Sequence, residues 1–382
     1  MSSPPRRGLA PEAIVAGGVV VLLVALVAAV FVSGIGQNLY PPDAATSQAK
    51  DTRGLYDIVF ALAIAIFLAV EGLIIWSIIR YRRKPGDDEL PPQTHGNNLV
   101  EIIWTVIPTV IVLYLFAISY NTLNTVNAVS DAPDIRVHAV AMQFVWKFEY
   151  LDGSGNVMAT QTVPYYATTS ADCAQASMTN AGCGGMALPV GKKIQITLDS
   201  PDVIHAWYVP RFLFKRDVIP GQTNKFEFTI DPGDAGQAFR GQCAELCGTG
   251  HRTMLFTVLG LSSPDYDTWL KSLVEITNRT PPPVPSGAAT LQLTAQNIQF
   301  DKTSLEAPAN QPFVIDFKNM DPPGVMHNVQ IRQSDGTTVI ADQPTIDGGN
   351  EAQYQYQGLA PGTYEFICIV HPSIMHGTLT VP

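Results

Sequence analysis

Three stretches near the N-terminus carry almost no polar side chain. Ala13–Val32 runs twenty residues without a charge or a hydroxyl, Ile58–Ile79 is broken only by Glu71 and Ser77, and Ile102–Ser119 forms a third run. An α-helix rises ~1.5 Å per residue, so ~20 apolar residues cross ~30 Å of hydrocarbon, and each run predicts a membrane span. The first is either a retained span or a cleaved signal. Arg6 and Arg7 precede it, but it is long for a signal core and no clear A-x-A site follows. After Ser130 the period changes to two. Asp134–Tyr150, Lys193–Leu198, Asn224–Ile230 and Thr253–Leu261 read as strands, separated by turn signals such as Asp231-Pro232-Gly233. Thr280–Ser286 reads Thr-Pro-Pro-Pro-Val-Pro-Ser, a stiff linker. Beyond it Leu291–Ala295, Phe313–Phe317, Asn328–Ile331, Gln353–Tyr356, Thr363–Ile369 and Gly377–Val381 alternate again.

The expected organisation is N-terminal transmembrane helices followed by two all-β domains of sandwich or barrel type. An N-terminal hydrophobic segment and outer loop (1–54) precede a helical hairpin (55–124). A first β-domain (125–275), a Pro-rich linker (276–290) and a second β-domain (291–382) follow. Basic residues set the orientation. Arg6 and Arg7, then Arg80, Arg82, Arg83 and Lys84, belong inside, which puts everything after Asn124 outside. For a bacterial chain that is the periplasm or cell exterior, and the protein is a multi-pass one of the cell membrane. Glu71, inside the second run, and Glu101, at the start of the third, are carboxylates at membrane depth or its edge. Such a group is costly in lipid and marks a function or a protein-facing side by default. Glu71 also reads as a helix-packing hydrogen bond, and Glu101 as a residue suited to a helix N-terminus.

Composition narrows the partners. Charged residues are 15% of the chain, against ~25% in soluble proteins, because the three apolar runs hold almost none. The net charge of −10 argues against nucleic acid, which wants a basic face. The C-terminal β-domain is acidic too: Lys302, Lys318 and Arg332 oppose nine carboxylates, a net of −6.

The candidate chemistry lies in two clusters. Residues 241–254 contain Cys243, Glu245, Cys247, His251 and Met254, a C-x3-C-x3-H-x2-M spacing, and His205 stands upstream in Ser200–Trp207. Thiolate, imidazole and thioether are soft ligands and suit copper. Zinc competes but rarely takes Met, and a disulfide would leave the histidines and Met254 without a role. Two thiolates on one loop can each bridge two metals. One histidine then remains for each, with Met254 weakly bound to one and a backbone carbonyl to the other. Such a closed cluster favours electron transfer over substrate chemistry.

At this point the chain resembles subunit II of the haem-copper cytochrome c oxidases over roughly Leu55–Leu273. The anchors are Gln93–Asn97, Glu101–Pro108, Asp202–Pro210, Lys215–Gly221 and the 241–254 loop. The resemblance implies a helical hairpin packed on a catalytic subunit I and a cupredoxin (Greek-key) barrel holding the dinuclear Cu(A) centre. It implies as ligands His205, Cys243, the Glu245 carbonyl, Cys247, His251 and Met254, with the Glu245 side chain on a magnesium shared with subunit I. It places Glu101 at the mouth of a proton channel. The family's two alternating tryptophans correspond to Phe144 and Trp146. Phe144 therefore stands where the family takes electrons from cytochrome c. Either Phe144 substitutes or the donor enters elsewhere.

The second β-domain carries His327, then Cys368, His371 and Met375 in a C-x2-H-x3-M spacing, and resembles a blue-copper cupredoxin of the plastocyanin group. Two His, one Cys and an axial Met make a mononuclear type 1 copper site. Met375 is the ligand whose position varies most in that group, and His376 is expected as a surface neighbour. Cys173 and Cys183 remain, in the polar insertion Tyr165–Ala187 that the orientation puts outside; a disulfide between them is expected, with two free thiols as the alternative.

The function expected is electron entry into a terminal oxidase. Its upstream donor is cytochrome c, a cupredoxin or a donor complex, and its partners are subunit I, other oxidase subunits and the membrane. No catalytic constellation is present, so oxygen reduction and proton pumping belong to subunit I. The alternative is a membrane-anchored copper-delivery or storage protein, which would have labile, exposed Met and His sites. A quinol oxidase subunit should lack the Cys-x3-Cys pair.

Overall fold

The computed structural model describes residues 40–82, 95–163, 185–278, 284, 286–336, 338–372 and 374–382, with six isolated positions between 18 and 29. Most of the first apolar run, the basic residues Arg6, Arg7, Arg83 and Lys84, and both Cys173 and Cys183 lie outside the described residues.

One compact unit holds two helices, α1 (Ser47–Arg80) and α2 (Asn98–Asn127). Both are long and apolar enough to cross a membrane, and each extends beyond the apolar run that predicts it. The N-terminus of α2 is capped reciprocally. Asn97 Oδ1 accepts from the backbone of Leu99 and Val100 at 3.1 and 3.3 Å, and Glu101 Oε1 accepts from Asn97 N at 3.2 Å. Ile58, Ala61 and Leu62 of α1 face Val110, Ile111 and Tyr114 of α2 across an apolar groove. Glu71 sits in α1, half-buried.

The other unit holds two β-sandwiches. The first is built from β1 (Ile135–Met142), β2 (Val145–Leu151), β3 (Val157–Val163), β4 (Gly185–Pro189), β5 (Ile194–Asp199), β6 (His205–Val209), β7 (Phe214–Val218), β8 (Asn224–Phe228), β9 (Ala238–Cys243) and β10 (Leu255–Leu261). One sheet runs β3-β2-β1-β5-β8 and the other β4-β10-β9-β6-β7. The pairs β1·β5 and β4·β10 are parallel, so connections cross between sheets. Trp146, Trp207, Phe212, Phe226, Phe228 and Phe256 fill the space between the sheets. The segment expected as one strand, Asp134–Tyr150, is a pair, β1 and β2, turning at Gln143–Phe144.

A helix that strand periodicity missed, α3 (Ser263–Thr277), follows β10. Ser262 caps it by accepting from Asp265 N, and Tyr266, Trp269 and Leu273 bury one face against the first sandwich.

The second sandwich comprises β11 (Ala289–Ala295), β12 (Ser304–Glu306), β13 (Phe313–Asn319), β14 (Gln330–Gln333), β15 (Val339–Ala341), β16 (Glu351–Tyr356), β17 (Gly362–Ile367) and β18 (His376–Val381). Its sheets run β11-β13-β16 and β12-β18-β17-β14-β15. The strand pleat also joins the two sandwiches. Along β1, Val137, Ala139 and Ala141 point into the first core, while Val140 and Met142, on the opposite face, pack with Val145 into the core of the second.

Candidate metal centres

Strand ends position the first cluster. β6 starts at His205 and β9 ends at Cys243, with Trp207 opposite Cys243 in the register. Cys243 N donates to Met254 O at 2.9 Å, closing the loop that carries Cys247 and His251. The Cys243 and Cys247 sulfurs stand 3.9 Å apart. That is far beyond the ~2.05 Å of a disulfide. It fits two thiolates sharing a metal, since metal–thiolate bonds of ~2.3 Å allow a separation up to ~4.6 Å. His205 Nδ1 lies 3.7 Å from Cys243 Sγ, His251 Nδ1 3.5 Å from Cys247 Sγ, Met254 Sδ 3.8 Å from Cys247 Sγ, and the Glu245 carbonyl 3.3 Å from Cys243 Sγ. All six expected donors therefore converge. The Glu245 carboxylate points away, half exposed, and accepts from Lys215 Nζ at 3.2 Å.

The second cluster repeats the logic. β17 ends one residue before Cys368 and β18 begins one after Met375, and Cys368 N donates to Met375 O at 2.9 Å. His327 Nδ1 lies 3.6 Å from Cys368 Sγ and 3.2 Å from His371 Nδ1. Met375 is fully buried beside them, and His376 is exposed. Asn328 ties the two ligand segments together: its Oδ1 accepts from Ile369 N at 2.9 Å and its Nδ2 donates to Gln343 O at 2.7 Å.

Three of the four cluster histidines have their far nitrogens engaged. His205 Nε2 meets Asp202 Oδ1 at 3.0 Å, His327 Nε2 meets Asp321 Oδ2 at 2.8 Å, and His371 Nε2 meets the Gln143 carbonyl at 3.0 Å. A proton on Nε2 leaves Nδ1 free to coordinate, and such partners fix tautomer and ring angle. Asp202, Asp321, Asn328 and Gln143 are absent from the sequence expectations as functional residues. Asp202, three residues before His205, was open to detection; Gln143 contacts a ligand 228 residues away.

Electrostatics separate the two sites. Hydrogen bonding by Cys247, and then by His205, outweighs burial and holds the Cys243 thiol well below its ordinary value, while Cys247 is held above the thiol range beside that thiolate. Burial alone would lower His205, but Asp202 and Cys243 raise it above its ordinary value. In the C-terminal cluster burial dominates. It pushes the Cys368 thiol up to about 11, lowers His327, and with the neighbouring His327 pushes His371 down to about 4.

The electron-path candidates lie beside the first cluster. Trp146 is fully buried, donates from Nε1 to Met254 O at 3.4 Å, and meets Phe256 edge-on at 5.1 Å. Phe144 is half-buried over Gly248 and Gly250, and an added Cβ at Gly250 would overlap its ring. Glu101 stands in the first turn of α2, on the helical unit.

Two family descriptions cover the N-terminal portion. "Cytochrome C oxidase subunit II, transmembrane domain" matches residues 34–122, and "Cytochrome C oxidase subunit II, periplasmic domain" matches 135–260. A "Cupredoxin-like domain" matches 271–381. The chain is 34% identical over 253 residues to a probable cytochrome c oxidase subunit 2 of Streptomyces coelicolor, covering 61% of this chain and 78% of that one. It is 31% identical over 234 residues to cytochrome c oxidase subunit 2 of Schizosaccharomyces pombe, covering 61% and 92%. Among solved structures it is similar to the periplasmic domain of subunit II of cytochrome oxidase of Bradyrhizobium japonicum, at 25% identity and a TM-score of 0.32, covering 39% of this chain and 99% of that one. It is also similar to auracyanin A, a blue copper protein of Chloroflexus aurantiacus, at 26% identity and a TM-score of 0.23, covering 25% and 100%. Two membrane-type helices, a periplasmic-domain match and two soft-ligand clusters agree with one another, and the chain belongs to the cytochrome c oxidase subunit II family, with a cupredoxin-like domain fused to it.

Proposed function

We propose that this chain is the electron-entry subunit of a terminal respiratory cytochrome c oxidase and carries its own donor domain. The observation behind the reading is the pair of buried Cys/His clusters in two adjoining sandwiches. His205, Cys243, the Glu245 carbonyl, Cys247, His251 and Met254 would hold dinuclear copper, Cu(A). His327, Cys368, His371 and Met375 would hold a single type 1 copper. Copper so held supplies one-electron chemistry, from an upstream donor through the C-terminal site and the dinuclear site to haem in subunit I, where oxygen becomes water with proton pumping.

The chain's own residues prepare that chemistry. Asp202, Asp321 and the Gln143 carbonyl hold His205, His327 and His371 with Nδ1 turned inward. Burial of Met254 and Met375, at 1% and 0% exposure, excludes water and opposes the copper-delivery alternative, which needs labile, open ligands. Trp146 and Phe144 line the way to the dinuclear site. The Glu245 carboxylate is the group offered to magnesium at the subunit I boundary, and Glu101 the one at the proton-channel entry. Cys173 and Cys183, outside the described residues, would form a disulfide in the outer insertion. The domain limits are those read above, and the protein is a multi-pass one of the bacterial cell membrane with both β-domains outside. The C-terminal net charge of −6 steers a basic donor, and that rate should fall with salt.

Flash reduction at the C-terminal site, followed optically at both, tests the relay. Cys368→Ser should abolish reduction of the dinuclear site by the upstream donor. An unchanged rate would reduce the C-terminal domain to a structural or docking appendage.

A further inference from the structure

We propose that Gln143 is the fixed link between the two centres, so that the C-terminal sandwich acts as a docked donor and not a swinging one. The proposal rests on the relay reading above. Gln143 stands on the turn between β1 and β2. Its carbonyl oxygen accepts from His371 Nε2 at 3.0 Å, and its side-chain amide donates to Cys247 O at 2.5 Å. Its backbone N–H donates to Asp202 Oδ2 at 2.7 Å, and the other oxygen of that carboxylate faces His205 Nε2 at 3.0 Å. One residue thus reaches a ligand of the C-terminal centre on one side. On the other it reaches two ligands of the first centre, by two separate hydrogen-bonded branches.

The surroundings hold this link in place. Val140, Met142 and Val145 of the first sandwich are buried in the core of the second. Gly324, at φ +97°, approaches so closely that a Cβ there would stand 2.5 Å from the Pro201 ring. His371 is itself only 7% exposed, with its outer nitrogen covered by Gln143. An upstream partner therefore reaches the C-terminal site from another side, and the His371 edge is kept for internal transfer.

The step moves one electron and nothing else. The C-terminal centre is oxidised by one electron and the dinuclear centre reduced by one. His371 keeps its Nε2 proton, no bond forms or breaks, and the electron is replaced by a one-electron redox protein upstream. A continuous path of covalent and hydrogen bonds couples the centres better than a gap of the same length.

The test uses the full copper-loaded chain in detergent, with the C-terminal centre reduced by a flash-activated one-electron photoreductant. Gln143→Met keeps the side-chain length but cannot donate to Cys247 O. It breaks one of the two branches to the first centre and should slow transfer between the centres several-fold, while the optical and EPR spectra of both coppers stay unchanged. Inserting about ten Gly/Ser residues into 280–286 should leave the rate unchanged, because a docked donor does not depend on the local concentration a tether provides. A rate that falls with linker length would overturn the proposal; an unchanged rate in Gln143→Met would overturn its branch through Cys247. If Gln143→Met disturbs either spectrum, the linker series decides alone. A wild-type chain that passes no electron between the centres would instead remove the relay reading itself.

Discussion

Replacing Asp321 by alanine asks how much of the C-terminal site is built by a residue that would never touch the metal. Its carboxylate accepts from Asn297 N at 2.5 Å, Ile298 N at 3.0 Å and His327 Nε2 at 2.8 Å. Asn297 and Ile298 both sit in the left-handed region, at φ 53° and 57°. That conformation costs ~1–2 kcal/mol for each such residue, and is least tolerable for a β-branched one. The two bonds to Asp321 offset this strain. Alanine would orphan three donors at ~1 kcal/mol or more apiece, so Asp321→Ala should cost roughly 3 kcal/mol. In a domain of this size that is a fall of roughly 10–20 °C in its melting transition. Copper affinity should fall about 10–100-fold as the His327 ring loses its anchor. Competition with a chelator, read by the thiolate–copper absorption band, gives the affinity, and calorimetry of the copper-free chain gives the stability. Ile298→Gly added to Asp321→Ala should recover part of the stability and none of the affinity, since it relieves the turn and not the ring. Wild-type affinity in Asp321→Ala would refute the reasoning.

Cys243→Ser or Cys247→Ser should abolish the dinuclear EPR signature and oxidase turnover; full activity with either would sink the assignment. Glu101→Gln should slow proton uptake while leaving both copper spectra intact; unchanged turnover would leave Glu101 as no more than the partner of Asn97 at the cap of α2. The pH dependence of copper uptake follows from the shifts. With Cys368 pushed up to about 11 and His371 down to about 4, the C-terminal cluster meets copper at pH 7 as one thiol and two neutral imidazoles. A ligand must be deprotonated to bind, so uptake there should release one proton, and affinity should weaken as pH falls from 11 towards 4. An indicator-dye titration of Cys243→Ser would show this, and release of two protons would contradict it.

Ligands that share a loop were legible in the sequence. Cys243, Cys247, His251 and Met254, like Cys368, His371 and Met375, are brought together by one turn each, so their spacing carries the geometry. His205 and His327 come from elsewhere in the chain, so local spacing does not carry their geometry. What lay beyond reach was contact across the fold: the Gln143–His371 bond joins two sandwiches, and no local pattern encodes it. Helix α3 was within reach and was missed. Ser262-x-x-Asp265 ahead of Tyr266, Trp269 and Leu273 is a capping signal followed by helical spacing, set amid strands with a period of two.

The outward residues of β1 bear on how the protein can be cut. A chain truncated after Thr277 would return Val140, Met142 and Val145 to water as one contiguous oily patch. Such a patch on a monomer favours self-association. The truncated first sandwich should therefore precipitate or dimerise unless these positions are made polar. A relative that never acquired the second sandwich has no reason to keep them apolar, so the side chains at 140, 142 and 145 become a readable mark, in any related sequence, of whether a second sandwich is seated there.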